Sequence, residues 1–485
     1  MIAFKEKKLL DIPSFRIFLV LAAVLAVYWK GMNYFFEGDD YSWLKLASVT
    51  ENPIRFFDPF YKPLWYETHF FRPVPRAVFD LVHGLAGMEP FPYHLMNLFL
   101  HMANVALLYR FVRSLSNDGS AAIVAVLIFA FHFEHFAGVI WIANLHSLVM
   151  VSFGLLMLTN WSVYLRNGGK RAYSGSMLFF LLAGLSKEVS VASLLLLAAA
   201  MELIFFPDGE NRFSVREFAR KYIPMVLIAL LVFGLFYAHR YPFEARFGYG
   251  FKPDPLGWMA TALRMLQLLI VETYTPRPLK AFISLVFVAV LIFSFFTFRN
   301  REREMDRFIL FGAVWISLNA VIISFLAPAA AHYCYYMSIG LGLFLGGIAS
   351  AFSGRKEGMK ELGITVLAVL LLFSAWKMRQ KMEAVYSGKW YRSLISQMQE
   401  HLPTVADGQS VTFIADRDDP HFFEYRLNGL RNPLELHYGK TLDIKVYNRE
   451  KYKASGPGEG ISGPAFSAES DIRKDRLVIE PLEER

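Results

Sequence analysis

The sequence is poor in charge and nearly without cysteine. Only 19% of its 485 residues are Asp, Glu, Lys or Arg, while 55% are hydrophobic, 16% are aromatic and 46 are phenylalanine. A soluble chain of this length carries more charge, so that class is excluded. The single cysteine, Cys334, excludes an intramolecular disulfide and leaves the redox compartment open. No repeat of solenoid period is present. No small-residue cleavage site follows "MIAFKEKKLLDIPSF", and the apolar run that continues to about Tyr34 is too long for a signal h-region. It reads as a retained first span.

What the chain has in abundance is uncharged stretches of about 18 residues or more, the mark of transmembrane helices. Lys+Arg minus Asp+Glu is 50 − 42, or +8. In a membrane chain that excess marks cytoplasmic loops rather than nucleic-acid binding. The connections are of two kinds. Basic ones are "KEKK" (5–8), "RFVRSLSNDGS" (110–120), "RNGGKR" (166–171), "ENRFSVREFARK" (210–221), "RNREREMDR" (299–307) and "GRKEGMK" (354–360). Connections rich in aromatics, His and Pro alternate with them. With the basic set in the cytoplasm, the expectation is a polytopic α-helical membrane protein of about eleven spans, N-terminus inside and C-terminus outside. The expected spans are 14–34, 92–113, 119–134, 145–165, 172–186, 189–206, 222–240, 279–298, 308–326, 336–352 and 362–378. Residues 254–275 read as an interfacial or re-entrant helix, and the outer loop 36–90 as holding interfacial pieces such as "RAVFDLVHGLAG".

The transmembrane unit is expected over 1–380. From about Lys381 the pattern changes. "KWYRSLISQMQEHLP" predicts an amphipathic helix, and "SVTFIADRD" and "TLDIKVY" predict strands. This implies a small extracytoplasmic α/β domain over 381–455, too small for a large core of its own. Residues 456–485, rich in Gly, Ser, Glu and Arg, read as a loose tail.

Several constellations carry chemistry. In "FFEGDDYSWL" (35–44), Asp39 and Asp40 sit past the first span. They read as a solvated loop or as a general base or metal-binding pair, since adjacent carboxylates share a proton or cation. Arg72 and Arg76 in "HFFRPVPRAVFD" suit a phosphate or a lipid headgroup; His69 opens the same stretch. His94, Asn97 and His101 recur at i, i+3 and i+7 on one helical stripe, with interhelical hydrogen bonding the plainer reading of Asn97 and His101. His132, Glu134, His135 and His146 gather in one connection, a weak zinc-like set without a metalloprotease motif. Lys187 and Glu188 break an apolar stretch, as a phosphate-binding pair or a self-neutralising hairpin tip. His332, Tyr333, Tyr335 and Tyr336 precede a Gly-rich span, where an interfacial aromatic belt is the plainer reading, and Cys334 reads as packing.

Taken in order, the acidic doublet, "FRPV", "PFPYHLMNLFLHMANVALLY", "FAFHFEHFAGVIWIANLHSLVMVSFGLLML", "LSKEVSV" and "HYCYYMSIGLGL" resemble GT-C-type integral membrane glycosyltransferases. The likeness, over roughly 10–350, is greatest to the protein O-mannosyltransferase group and its relatives that carry tetratricopeptide repeats. It implies a GT-C-like fold and transfer of a sugar, a hexose such as mannose, from a polyprenyl-phosphate carrier on the extracytoplasmic face. It implies Asp39 or Asp40 as the catalytic carboxylate and Arg72 and Lys187 near the carrier phosphate; Glu188 and His332 are expected beside them as donor-phosphate candidates. His69, Arg76, His94, Asn97, His132, His135, Tyr333 and Tyr335 are further pocket candidates. The relatives' late motif reads Arg-Tyr-x-Tyr-x-Pro-Ser-x-Gly. Here His332 replaces the Arg and Met337 the Pro, while Tyr333, Tyr335, Ser338 and Gly340 match, so a permanent cation is missing. The tetratricopeptide array is absent.

No cofactor is required on this reading, and a divalent cation at Asp39 and Asp40 is compatible with it. The expected partners are the lipid-linked donor, an acceptor of open identity (protein, lipid or glycan) and the bilayer, with a bacterial inner membrane as the expected location. A transporter or flippase would explain the intramembrane His and Lys–Glu groups, but predicts inverted hydropathy repeats that the sequence lacks. A structural or assembly protein would use the C-terminal unit as a docking module.

Overall fold

The structure, a computed structural model, describes residues 13–48, 70–116, 118–206, 215–238, 254–271, 275–298, 303–326, 329–350, 357–415, 430–448, 464–471 and 476–481. The apolar stretches are helical, because a helix alone pairs every backbone N–H and C=O within one segment where no water is at hand. In chain order the helices are α1 (Pro13–Tyr28, continued by a 3-10 turn to Asn33), α2 (Asp40–Ser48), α3 (Pro73–Ala86), α4 (Pro90–Leu115), α5 (Gly119–Ala130) and α6 (His135–Ile140). There follow α7 (Leu145–Asn167), α8 (Lys170–Gly184), α9 (Val189–Phe205), α10 (Val215–Ala238), α11 (Pro255–Ile270), α12 (Arg277–Thr297) and α13 (Glu304–Leu326). The last are α14 (Cys334–Ser350), α15 (Glu357–Tyr386), α16 (Lys389–His401) and α17 (Arg431–Tyr438).

Among the described residues, 8 helices are long and apolar enough to cross a membrane. The other three expected spans fall on α5, α8 and α9, which are shorter. Helix α5, with 12 residues, reaches only about 18 Å, because the chain leaves the helix at Phe131 to begin the loop that carries His132. Helix α11, the segment read as interfacial or re-entrant, is about 24 Å long, below the roughly 30 Å of a hydrocarbon core. It buries Met265, Leu266 and Leu269 in a cluster shared with α13 and α14.

Glycine brings the central helices together. A Cβ on Gly342 of α14 would lie 2.6 Å from the Ala125 carbonyl oxygen of α5, and one on Gly346 would lie 2.7 Å from that of Ala121. The two backbones therefore touch, as small residues permit in membrane helices. The connections fall at two ends of the bundle. At one end Arg166 donates to the Ser114 carbonyl, Ser350 bonds Asp118, and Arg113 and Arg307 flank Glu304. This is the basic end. The other end gathers the 34–48 loop, the start of α3, the 131–146 connection, the α8–α9 turn and the approach to α14.

The chain after α15 returns to that second end. Lys30 pairs with Glu383 at 2.6 Å, and the Phe35 N–H donates to the Ser387 carbonyl at 2.9 Å. Helix α16 precedes a four-stranded sheet of order β2-β1-β3-β4, built from β1 (Gln409–Ala415), β2 (Leu442–Asn448), β3 (Ala465–Asp471) and β4 (Arg476–Pro481). Strand β1 runs parallel to β2 and β3, with Val411 facing Ile444 and Phe413 facing Phe466, and β3 pairs antiparallel with β4. The expectation of a loose tail over 456–485 is corrected here: 465–471 and 476–481 are strands. Polar composition hid them because they are held by backbone pairing and one buried face, Phe466 and Ile479.

Replacing Gly342 by Ala should cost about 1–3 kcal/mol through overpacking, whereas Gly234→Ala in α10, where a Cβ meets nothing within 4 Å, should be neutral or stabilising. Thermal unfolding of the two variants in detergent checks this; equal midpoints would count against the close contact.

Candidate functional site

The site begins with the acidic doublet. Asp40 is 1% exposed and starts α2. Its Oδ2 accepts from the Glu37 N–H at 3.0 Å and its Oδ1 from the Ala143 N–H at 2.7 Å. It therefore ties the first loop to the turn Ile142–Asn144 before α7. Burial pushes the Asp40 carboxyl well above the usual carboxylate range, a push that Glu37 and Asp39 strengthen and the two amide donors oppose. Asp39 instead exposes its side chain, within a loop enclosed by protein, and that enclosure raises its pKa to about 6. The two acids are thus unequal, one a fixed strut and the other open. Among the described residues no group of three or more His, Cys, Asp or Glu side chains is arranged to hold an ion.

Past Ala143 the same turn meets the cations. The His146 ring nitrogen Nδ1 bonds the Ala143 carbonyl at 2.8 Å, and the Ser147 hydroxyl accepts from Lys187 Nζ at 3.0 Å. Lys187 is 3% exposed and sits 4.5 Å from the centre of the Tyr333 ring. Arg72, Lys187 and His332 lie within electrostatic range of His146, and the His332 ring meets Trp141 at 5.6 Å. Lys187, Ser147, His332, Tyr333, Tyr336 and Asn319 help to line a small open recess. Burial, then the charge of Arg72, lowers the Lys187 amine to about 7 against the upward pull of Glu188.

Glu188 is bound to Arg72 rather than to Lys187, which corrects the self-neutralising hairpin tip. Arg72 Nε and Nη2 donate to Glu188 Oε2 and Oε1 at 3.0 and 2.8 Å, a bidentate buried pair. Burial alone would raise the Glu188 pKa, but the Arg72 charge and hydrogen bonds outweigh it and hold the carboxyl low. The reason is geometric: Lys187 follows the α8 backbone toward Ser147, while the start of α3 delivers Arg72 to the α8–α9 turn, where the Val74 N–H also meets the Leu185 carbonyl at 3.5 Å.

The remaining candidates divide. Arg76 is taken up by Asp80, through Nε at 2.9 and 2.8 Å, and by the Leu46 carbonyl, so it ties α3 to α2 instead of lining the recess. His94 bonds the Tyr34 carbonyl at 3.1 Å, and the Asn97 amide donates to the Val139 and Trp141 carbonyls at 3.1 and 3.2 Å, shaping the turn that holds Asp40. His132 bonds the Leu269 carbonyl, His135 bonds Ser338, and the Tyr335 hydroxyl meets His101 and Asn104. These groups form a buried network between α4, α5 and α14, apart from Lys187. The zinc-like set is not assembled, because His146 leaves it for the cation cluster. His69 lies outside the described residues. Sequence reasoning did not assign His146 to the cations, nor find Ser147 and Trp141. The available signal was only that "WIANLHS" closes the His-rich connection and opens the next apolar run.

The fold is that of a polytopic helical membrane protein, and part of its sequence is similar to membrane mannosyltransferases. Residues 71–237 match the family model of dolichyl-phosphate-mannose-protein mannosyltransferases, a span that starts just before Arg72 and includes His146, Lys187 and Glu188. The chain is 34% identical over 107 residues to mouse (Mus musculus) protein O-mannosyl-transferase TMTC2, covering 21% of this chain and 12% of that protein. It is 28% identical over 179 residues to the human (Homo sapiens) protein, covering 34% and 20%. The matched segments thus span at most a fifth of those relatives. The fold is similar to that of ArnT from Cupriavidus metallidurans in the apo state, with a TM-score of 0.50 at 11% identity over 94% of this chain and 92% of that one.

Replacing Arg72 by Leu should cost about 3–5 kcal/mol by stranding the buried Glu188 charge, and Glu188→Gln in the same chain should recover part of it. A double-mutant cycle on unfolding in detergent measures the coupling; additive effects would mean that the pair is not formed.

Proposed function

We propose that this chain is a glycosyltransferase that moves a hexose from a polyprenyl-phosphate carrier to an acceptor hydroxyl at the extracytoplasmic end of its helix bundle. One observation carries the reading: a single turn, Trp141–Ser147, anchors the acidic strut Asp40 through Ala143 and the buried amine of Lys187 through Ser147. This supports a reading in which Asp39, the neighbour of Asp40, and the amine of Lys187 serve one reaction. The matching family model is described by its dolichyl-phosphate-mannose donor, which supports the class of carrier.

Asp39 is the base. It takes the proton of the acceptor hydroxyl as that oxygen bonds to the sugar's anomeric carbon and the bond from that carbon to the phosphate oxygen breaks. The electron pair leaves with the polyprenyl phosphate, whose charge Lys187 meets, with His332 and His146 beside it. Arg72 holds Glu188 and adds positive potential from behind. The protein's own cations suffice for this scheme, and a divalent ion arriving with the phosphate would add to them. A carrier with a polyprenyl tail stays in the bilayer, which explains why the site lies at one end of the spans. The positive-inside rule supports that end as the extracytoplasmic one, since basic connections collect at the other.

Asp39→Asn should lower transfer from a polyprenyl-phosphate mannose donor by about 10²–10⁴-fold with the fold intact, measured as donor consumed by the purified protein. Full activity would remove Asp39 from the chemistry. The pH dependence has two limbs. The Asp39 carboxylate is available above about 6 and the Lys187 ammonium below about 7. kcat/KM should therefore be bell-shaped with a narrow maximum between them, and Lys187→Arg should remove the alkaline limb. A profile flat from pH 5 to about 8 would contradict both assignments.

A further inference from the structure

The C-terminal α/β unit packs on the short helix that begins at the acidic doublet. Helix α2 runs on from Asp40, and three of its side chains, at positions 41, 42 and 45, meet the C-terminal unit. The Tyr41 ring packs against Tyr391 of α16 with centres 5.0 Å apart. The Ser42 hydroxyl accepts from Asn432 Nδ2 at 2.9 Å. Lys45 donates to Asn432 Oδ1 at 3.3 Å and forms a short ion pair with Glu435 of α17. Glu435 in turn accepts from the Leu442 N–H at 2.9 Å, so the contact passes into the first residue of β2.

On the other side of the doublet, the extended segment before it is gripped as well. Gly388, in the left-handed region at φ +65°, lies so close that a Cβ would be 2.6 Å from the backbone of Phe35 and of Phe36. Phe36, Tyr41, Trp43 and Leu44 share one apolar cluster with Trp390, Leu394, Val411 and Phe413, and the same cluster continues to Tyr93 and Ile142. The carboxylates thus sit in a loop pressed between the bundle and the sheet, and neither side of the clamp belongs to the loop itself.

We propose that the C-terminal α/β unit is a positioning element for Asp39 and Asp40, acting through α2, with Lys45, Asn432 and Glu435 as its positioning residues. The proposal rests on the reading of Asp39 as the base. Without the brace, α2 loses a partner for its polar face, and the loop is left to the Asp40 hold on Ala143, the Arg76 tie to Leu46 and the bundle side of the apolar cluster. An error of about an ångström in a reacting group costs orders of magnitude in rate, so the brace acts on kcat rather than on donor affinity.

The test uses the full chain with Lys45→Glu, Glu435→Lys, the two together, and the milder Asn432→Ala. Two readouts are taken: amide hydrogen exchange of peptides within 35–48, and the rate of consumption of undecaprenyl-phosphate mannose. Each single charge reversal should speed exchange in that segment about five- to tenfold and lower kcat about tenfold, with the donor KM unchanged within about twofold. The double reversal should restore both, and Asn432→Ala should shift both in the same direction by less. Wild-type exchange in the single variants would overturn the proposal, and so would faster exchange with an unchanged kcat. If Asp39→Asn leaves donor consumption intact, the functional reading falls, and the exchange measurement and its rescue decide the bracing by themselves.

Discussion

Asp40 accepts one N–H from its own loop and one from Ala143, 103 residues further along the chain. The arrangement of the site end depends on that grip. A buried carboxylate is costly unless donors meet it, and here backbone amides meet both of its oxygens. The Glu37 amide closes the turn before α2, and the Ala143 amide fixes the turn before α7. Once those turns are set, the Asp39 side chain is left toward solvent, and His146 and Ser147 are presented toward α8, α9 and the approach to α14. The doublet reads as two equivalent acids in the sequence, but the fold makes one of them a structural anchor.

The cations are sorted by the same rule. Arg72 and Glu188 satisfy each other in a forked pair with little access to water, a geometry that only a guanidinium can offer a carboxylate. Lys187 is left with a serine hydroxyl and an aromatic face, weak partners for a charge, and its amine is correspondingly easy to deprotonate. Positive charge at this end comes from the α8–α9 turn, with Lys187, and from the start of α3, with Arg72.

Much of the helical plan was legible in hydropathy. Long apolar runs give α1, α4, α7, α10, α12, α13, α14 and α15, because in an apolar medium the only local solution for the backbone is a helix. The shortness of α5 was not legible, since composition does not say where a chain leaves a helix to make room for a loop. The strands at 465–471 and 476–481 were missed for a related reason: their stability lies in pairing with β1 and in contact with α16, where the Ile479 N–H donates to Gln397 at 2.7 Å, and not in their own composition.

By itself the sequence determined a basic, aromatic-rich membrane chain with an acidic doublet after its first span and a cluster of His, Arg and Lys in the connections that alternate with the basic loops. These follow from local composition, which fixes solvent preference. Tertiary structure alone decided who pairs with whom: Glu188 with Arg72 and not its neighbour Lys187, His146 with the cations and not with His132 and His135, and Glu435 with Lys45 across most of the chain's length. Pairing of buried charges depends on distances of a few ångströms between segments far apart in sequence, and no local pattern encodes those distances.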